Sequence, residues 1–265
     1  MTALDAIRLI ADDPQAEIVL VHGAWHGPWC WHEGFAQRLA ERGISSTAVG
    51  LRGHGGSTDG VTLNRMRMRD YIDDVVAVLT GLGLETPPFV AGHSMGGAVV
   101  QGMLARDNRP AIAGAALLAS MPPRGVIGVT IDIAIRRPAD FLRGNLTLDL
   151  GLLVRRPEDV RHLFFRPETS QDVVDLTTAN VKSESYRAFL DMLVLDRPKP
   201  RPVDVPLLVL GAQEDVIFPP SDVFATACAW GTEPVMLPSL GHDVMLDDGW
   251  ERVADTLADW VLAHA

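Results

Sequence analysis

The stretch that decides the fold is "FVAGHSMGGAVV", residues 89–100, where a short apolar run leads into glycines around one serine. The run before the glycines is typical of a buried strand, and the apolar residues after them continue as a helix. A turn this tight strains the backbone of Ser94, and only glycine fits at its flanks, Gly92 and Gly96. The turn exposes the serine hydroxyl above a sheet and points helix N-terminal N–H groups at the same place, where they can stabilise an oxyanion.

Short apolar runs on both sides of this stretch predict further strands, and helical patterns lie between them. Most of the runs are continuously apolar, which is typical of strands covered on both faces. The alternation predicts an α/β fold, with a mostly parallel central sheet flanked by helices. The predicted strands are residues 17–23, 45–50, 87–94, 112–120, 205–215 and 233–239. The predicted helices are residues 31–42, 70–82, 96–107 and 249–265.

Residues 121–202 break this alternation. They are helical and irregular, with proline-rich edges, and they are too long for an ordinary connection. We expect a mainly helical lid inserted between two parts of one core, residues 1–120 and 203–265. The segment carries 13 Lys and Arg against 11 Asp and Glu, whereas the whole chain has a net charge of −11. A basic lid would favour anionic substrates or lipid headgroups, although a solvated arginine-rich helical face is the simpler interpretation.

Bulk properties exclude several classes of protein. The 265 residues suit one large domain, and the acidic balance argues against a nucleic-acid binder. Cys30 and Cys228 are too far apart for a metal cluster or a disulfide framework, and we expect both to be small buried side chains. No apolar run approaches the ~18 residues of a membrane span, and the first residues do not resemble a signal peptide. We therefore expect a cytoplasmic protein.

Ser94 needs a base, and the base needs a carboxylate to orient it. His242 lies in "LPSLGHDVML" (237–246), after the last predicted strand, and Asp215 lies in "LLVLGAQEDVIFPP" (207–220), just past another strand. Loops beyond the carboxyl ends of parallel strands gather on one side of the sheet. Ser94, Asp215 and His242 are therefore expected to converge as nucleophile, acid and base.

The sequence resembles the α/β-hydrolase superfamily from Val19 to the last helix. Five motifs fall in that superfamily's order: "VHG", "LRGHGGS", "GHSMGG", "GAQEDVIFP" and "LGHD". The resemblance implies the acid and base roles of Asp215 and His242. It also implies that the backbone N–H groups of Ala24 and Met95 form the oxyanion hole. The stretch "VLVHGAWHGPWCW" (19–31) is particularly similar to the methylesterase and hydroxynitrile-lyase branch.

Other polar residues near these motifs are expected to play supporting roles. Glu214 is offset from the acid position, so we expect it to be only a neighbour of Asp215. His22 is expected to hold the oxyanion loop, and His54 to be structural or to lie at the substrate rim. Asp243 is expected to face solvent or to cap a helix.

A serine at this position predicts acyl transfer, with ester hydrolysis as the reaction and a small-molecule ester as the substrate. The alternatives are a cofactor-free perhydrolase or haloperoxidase, a hydroxynitrile lyase, or a non-catalytic receptor on the same fold. In the lyases a lysine commonly follows the base histidine, whereas here the residue is Asp243. We expect no metal and no cofactor, and the sequence leaves the oligomeric state open.

The candidate substrate contacts are Trp25, His93, Phe141 and Phe164, and the apolar lid favours a hydrophobic acyl or alcohol group.

Overall fold

The computed structural model describes residues 4–32 and 34–265, and the described residues form an α/β sandwich around one sheet. Its strands are β1 (Ala6–Leu9), β2 (Ala16–Val21), β3 (Ile44–Val49), β4 (Phe89–His93), β5 (Gly114–Leu118), β6 (Leu207–Ala212) and β7 (Pro234–Leu237). Met1 to Ala3, at the start of the chain, and Glu33, in the first predicted helix, lie outside the described residues.

The sheet order is β1-β3-β2-β4-β5-β6-β7, and every neighbouring pair except β1 and β3 is parallel. Strand β4 lies at the centre, and all of its residues are buried, as are those of β3 and β5. Continuous burial explains why β4 and β5 have no alternation of apolar and polar residues, whereas β3 also buries Ser45, Ser46 and Thr47. The predicted, mostly parallel α/β fold is confirmed.

The core helices cover both faces of this sheet. They are α1 (Phe35–Glu41), α2 (Met68–Gly81), α3 (Met95–Leu104), α9 (Pro220–Trp230) and α10 (Trp250–Leu262). Helix α3 starts one residue after Ser94 and is buried along almost its whole length, so the central strand leads directly into a buried helix. None of the helices in the described part of the chain has the length and apolar character needed to cross a bilayer.

The segment 121–202, which we call the inserted segment, lies between β5 and β6. It contains α4 (Ile127–Arg136), α5 (Pro138–Thr147), α6 (Pro157–Phe164), α7 (Gln171–Asn180) and α8 (Tyr186–Leu190), followed by one π-helical turn at Asp191–Leu195. Several buried polar contacts join it to the core. In one of them the Asp191 carboxylate, fully buried, accepts hydrogen bonds from the Arg67 Nε at 3.0 Å and from the Met68 N–H at 3.1 Å.

Two features differ from the expectations from sequence. Strand β1 was not predicted, because it is only four residues long and its alternately exposed residues belong to an antiparallel edge strand. The expectation that both cysteines are buried is wrong for Cys228, which is exposed on α9, whereas Cys30 is buried.

Candidate active site

The candidate active site lies at the carboxyl ends of four parallel strands of the sheet. The loop after β2 carries Ala24, β4 leads into Ser94, the loop after β6 carries Asp215, and the loop after β7 carries His242. Because parallel strands all end at the same edge, residues more than a hundred positions apart in sequence meet there. The sheet order thus explains the convergence that the sequence predicts.

Ser94 has a backbone φ of +53° and ψ of −117°, a conformation that residues other than glycine rarely adopt. Backbone hydrogen bonds hold it at both ends. The Ser94 N–H donates to the Leu118 carbonyl at 3.1 Å, and the Ser94 carbonyl accepts the N–H groups of Met121 at 3.1 Å and Ala98 at 3.2 Å. A Cβ on Gly92 would overlap the Gly96 carbonyl, and a Cβ on Gly96 would overlap the Val21 carbonyl. The tight turn therefore requires glycine at both flanks.

The side chains of Ser94, His242 and Asp215 form one hydrogen-bonded chain. The Ser94 Oγ lies 2.9 Å from His242 Nε2, and His242 Nδ1 lies 2.8 Å from Asp215 Oδ2. The other carboxylate oxygen, Asp215 Oδ1, accepts the N–H groups of Ile217 and Phe218 at 2.8 and 2.9 Å, which fixes the carboxylate plane. His242 and Asp215 are buried, and Ser94 is 9% exposed. This arrangement can remove a proton from the serine hydroxyl and stabilise the resulting imidazolium.

The loop after β2 lies against the serine. A Cβ built on Gly23 would stand 3.0 Å from the Ser94 Cβ, so only a glycine allows this approach. Neither the Ala24 N–H nor the Met95 N–H donates a hydrogen bond to another described residue. Ala24 and Met95 both line the cavity that Ser94 lines, and N–H groups without a partner in such a place can bind an oxyanion.

His22 holds this loop in place, as expected. Its Nδ1 donates to the Gly23 carbonyl at 2.8 Å, while its Nε2 accepts the Leu51 N–H at 3.3 Å. One donor and one acceptor describe a neutral imidazole. Burial lowers the pKa of His22 well below its usual value, and the nearby His54 lowers it further, which agrees with the neutral form. Because the Gly23 carbonyl and the Ala24 N–H belong to one peptide plane, His22 also fixes the direction of that N–H.

His93 does not lie where the sequence places it. Its ring is 1% exposed and is not part of the cavity wall, because its Nε2 donates to the backbone carbonyl of His242 at 2.9 Å. The two rings lie with centroids 4.8 Å apart. Burial, with a contribution from His242, lowers the pKa of His93 to about 3, so the ring is neutral. His93 supports the loop of His242 from behind rather than contacting substrate.

Asp243 also differs from its expected role, because it is fully buried and neither faces solvent nor caps a helix by its side chain. Its Oδ2 lies 2.9 Å from His26 Nε2, and its Oδ1 has no hydrogen-bond partner among the described residues. Burial alone would raise the pKa of Asp243, but the adjacent His26 lowers it overall. Sequence reasoning missed His26, although the second "HG" of "VHGAWHG" places it two residues after Ala24.

A cavity opens beside Ser94, and the inserted segment supplies most of its wall. Thirteen of its nineteen lining residues belong to residues 121–202, and nearly all of the wall is apolar. Two of the predicted substrate contacts, Trp25 and Phe141, line it. Phe164 does not; its ring packs 5.1 Å from that of His26, and its neighbour Leu163 faces the cavity instead.

Among the described residues that line the cavity, Glu184 is the one with an ionisable acidic or basic side chain, and sequence reasoning missed it. Its Oε2 lies 3.0 Å from His54 Nε2, and its Oε1 accepts the Tyr71 hydroxyl at 2.8 Å. Burial would raise the pKa of Glu184, but the charge of His54 lowers it overall; the same carboxylate raises the pKa of His54 against the effect of burial. His54 therefore joins the core to the inserted segment. This contact is structural, which is one of the two roles expected for His54.

Among the described residues, His93, His242 and Asp243 bring potential metal ligands within 4.8 Å of one another. His242 has no ring nitrogen left for a metal, although His93 Nδ1 and Asp243 Oδ1 have no hydrogen-bond partner among the described residues. Both ring nitrogens of His242 contact Ser94 and Asp215, and His93 Nε2 donates to a carbonyl. We therefore assign no metal to this group, and a metal-independent site stays a prediction.

Comparisons with known proteins give one consistent result. A family model described as "Alpha/beta hydrolase family" matches residues 18–256. The chain is 29% identical to the pFDCC methylesterase MES16 of Arabidopsis thaliana over 78% of this chain and 79% of that protein. It is 26% identical to a monoacylglycerol lipase of Mycolicibacterium smegmatis, over 97% of this chain and 94% of the relative. A solved thermophilic esterase from Thermogutta terrifontis superposes with a TM-score of 0.77 at 22% identity, covering 99% of this chain and 94% of that one.

Proposed function

The chain belongs to the alpha/beta hydrolase family, and we propose that it is a carboxylic ester hydrolase that forms a covalent acyl-enzyme on Ser94. The observation that carries the proposal is the continuous hydrogen-bonded chain from Ser94 Oγ through His242 to Asp215. It lies beneath an apolar cavity and beside the free N–H groups of Ala24 and Met95.

In the proposed first half-reaction, His242 Nε2 takes the Ser94 hydroxyl proton as Oγ attacks the ester carbonyl carbon. The Ala24 and Met95 N–H groups stabilise the negative charge that develops on the carbonyl oxygen. Asp215, held by two backbone N–H groups, keeps the imidazole oriented and stabilises its positive charge. The tetrahedral intermediate then collapses, the C–O bond to the alcohol breaks, and His242 returns the proton to the leaving alkoxide.

In the second half-reaction, a water molecule replaces the alcohol. His242 removes its proton as the water oxygen attacks the acyl carbon, and the same two N–H groups again bind the oxyanion. Collapse releases the carboxylic acid and restores the Ser94 hydroxyl with the proton carried by His242. The strained turn matters here because it places Oγ 2.9 Å from the base before the reaction begins.

We further propose that the inserted segment acts as a lid that selects the substrate, since it forms most of the cavity wall. The apolar lining favours esters with a hydrophobic acyl or alcohol group. The names of the relatives, a methylesterase and a monoacylglycerol lipase, are both consistent with a small-molecule ester. The cytoplasmic location expected from the sequence stays part of this proposal.

A panel of p-nitrophenyl esters from acetate to decanoate tests the proposed activity. We expect the wild type to cleave several of them, and Ser94→Ala to lose at least about 10⁴-fold in kcat. The matched control is Ser221→Ala, which alters an exposed serine in the first turn of α9 and is expected to leave kcat unchanged. The proposal fails if no ester is cleaved, or if the Ser94→Ala variant is as active as the control.

The same preparations separate the alternative chemistries. Release of cyanide from mandelonitrile would indicate a lyase. The position that commonly carries a lysine in the lyases is here Asp243, a buried carboxylate paired with His26, which cannot stabilise cyanide. Peracid formation exceeding hydrolysis would indicate a perhydrolase. Stable binding without turnover would indicate a receptor.

A further inference from the structure

The ring of His26 contacts both the oxyanion loop after β2 and the loop after β7 that carries His242. Its Nδ1 lies 2.8 Å from the backbone carbonyl of Ala24, in the oxyanion loop. Its Nε2 lies 2.9 Å from Asp243 Oδ2, on the residue that follows His242. The side chain is 1% exposed, so water does not compete for either contact.

The two contacts of the His26 ring together require two protons. The Ala24 carbonyl can only accept, so Nδ1 must carry a proton and donate it. The contact between Nε2 and Asp243 needs a second proton, carried either by the imidazole or by the carboxyl group. The pair therefore holds two protons in either form, one more than a neutral imidazole beside a carboxylate. Removing one of them would place two lone pairs against each other in a dry environment.

Two nearby histidines, His22 and His93, differ from His26 in the number of protons that their contacts require. His22 has one donor and one acceptor contact and needs a single proton. His93 donates through Nε2, and its Nδ1 has no partner among the described residues, so it also needs only one. His26 alone of the three faces two acceptors.

We propose that His26 is a positioning residue that couples the oxyanion loop to the loop of His242, and that full activity requires the His26–Asp243 pair to hold both protons. The inference rests on the proposed function, because it assigns His26 a part in orienting Ala24 and His242. His26 contacts no substrate atom. It acts by fixing the carbonyl side of Ala24, while His22 fixes the peptide on the other side of that residue.

The surrounding charges agree with a doubly protonated pair. Burial would lower the pKa of His26, but the Asp243 carboxylate raises it above the usual value of 6.5 overall. The other titratable groups that face the pair are the imidazoles of His93, His22, His54 and His242 and the Cys30 thiol. His93 and His22 are held neutral, and burial raises the pKa of the Cys30 thiol well above its usual value. The pKa of His54 is raised, and this ring has its own carboxylate partner in Glu184.

The direction of the pH effect follows from the raised pKa of His26. The pair is intact below the usual histidine value and is lost as the pH rises through the higher value of the folded protein. We expect kcat to fall on the alkaline side through that titration, with a much smaller change in KM.

The test compares kcat and KM against pH for the wild type, His26→Gln, His26→Asn and Asp243→Asn. The glutamine keeps a donor toward Asp243, and the asparagine keeps one toward Ala24. We expect both to lower kcat by about 10- to 100-fold, with KM changed less than about twofold, and to abolish the alkaline limb. Asp243→Asn removes the carboxylate charge and should move that limb to lower pH. His264→Gln, which alters an exposed histidine on the last turn, is the matched control and should keep the wild-type profile.

Nitrogen-15 NMR of the histidine rings provides a readout that needs neither catalysis nor a folded variant. In the wild type, both ring nitrogens of His26 should show the shifts of protonated nitrogens, and their titration midpoint should match the alkaline limb of kcat. If His26 carries a single ring proton at neutral pH and Asp243 is ionised, or if the alkaline limb persists in His26→Gln, the proposal is wrong. If no ester is cleaved at all, the proposed function fails, while the NMR titration still reports whether the pair holds two protons.

Discussion

The four loops of the candidate site and the inserted segment differ in what fixes their structure. At the loops, backbone geometry determines the chemistry: a strained serine, two obligatory glycines and carboxylate oxygens bound by N–H groups. In the inserted segment, side chains determine the shape of the cavity. Of the eleven large apolar side chains exposed among the described residues, eight lie in residues 121–202. A segment that is packed less completely can change its residues while the chemistry beneath it stays constant.

The largest expected effect concerns the loops. Asp215→Asn should lower kcat by about 10³- to 10⁴-fold, because an amide can favour the wrong tautomer of His242 and cannot stabilise its positive charge. KM should change little, and far-ultraviolet circular dichroism should be unchanged. Glu214→Gln is the matched control, since this neighbour is exposed and should leave kcat as it is. Equal losses in the two variants would contradict the assignment of Asp215 as the acid.

A pair of glycine substitutions compares the tolerance of the two regions directly. Gly96→Ala would drive a methyl group into the carbonyls of Val21 and His22 and should lower the free energy of unfolding by about 3 kcal/mol. Gly128→Ala in helix α4 meets nothing within 4 Å and should raise it by up to about 1 kcal/mol. Urea denaturation measures both. Similar changes in the free energy of unfolding for both substitutions would contradict the proposed difference between the loops and the inserted segment.

The junction between the regions should show a pH-dependent contribution to stability. Glu184, with its lowered pKa, contributes above its usual value of 4.5, and His54, with its raised pKa, contributes below its usual value of 6.5. Glu184→Gln should therefore lower the free energy of unfolding most between these two pH values, by about 2 kcal/mol. The loss should shrink toward stronger acid and toward alkali.

The readout is thermal denaturation across this pH range, with Glu158→Gln, an exposed residue of the inserted segment, as the control. A loss that does not vary with pH would show that the pair of His54 and Glu184 is not ionised in the folded protein.

The smallest expected effect is on the selectivity between long and short acyl groups. Ile133 lines the cavity on α4, and Ile135, two positions later, is 74% exposed. Ile133→Ala should raise the ratio of kcat/KM for octanoate over acetate esters by about tenfold, since it lengthens the apolar cavity. Ile135→Ala should leave the ratio unchanged. An equal shift in both variants would show that the inserted segment does not select the acyl group through this wall.

The sequence was informative where local rules determine structure. Continuous apolar runs identified the buried strands, and the glycines around Ser94 identified the turn, because both follow from short-range sterics. The positions of Asp215 and His242 after strands were enough to expect their convergence, since parallel strands end at one edge.

The contacts that the sequence did not reveal all join distant parts of the chain. Nothing local indicates that Asp243 turns inward to His26, or that Glu184 reaches His54 across 130 positions. His93 and Phe164, two of the expected substrate contacts, lie outside the cavity wall for the same reason, since each ring packs against His242. Long-range side-chain pairing needs the three-dimensional structure, whereas turn geometry does not.

The most direct test of the central claim is rapid acid quenching of the enzyme during turnover of p-nitrophenyl acetate, followed by peptide mass spectrometry. The account predicts one acetyl group on the peptide that contains Ser94, formed in a burst of about one p-nitrophenol per chain if deacylation is slower than acylation. The adduct should be absent from Ser94→Ala. Acetylation at another residue that persists in Ser94→Ala, or hydrolysis at the full rate by that variant, would contradict the account.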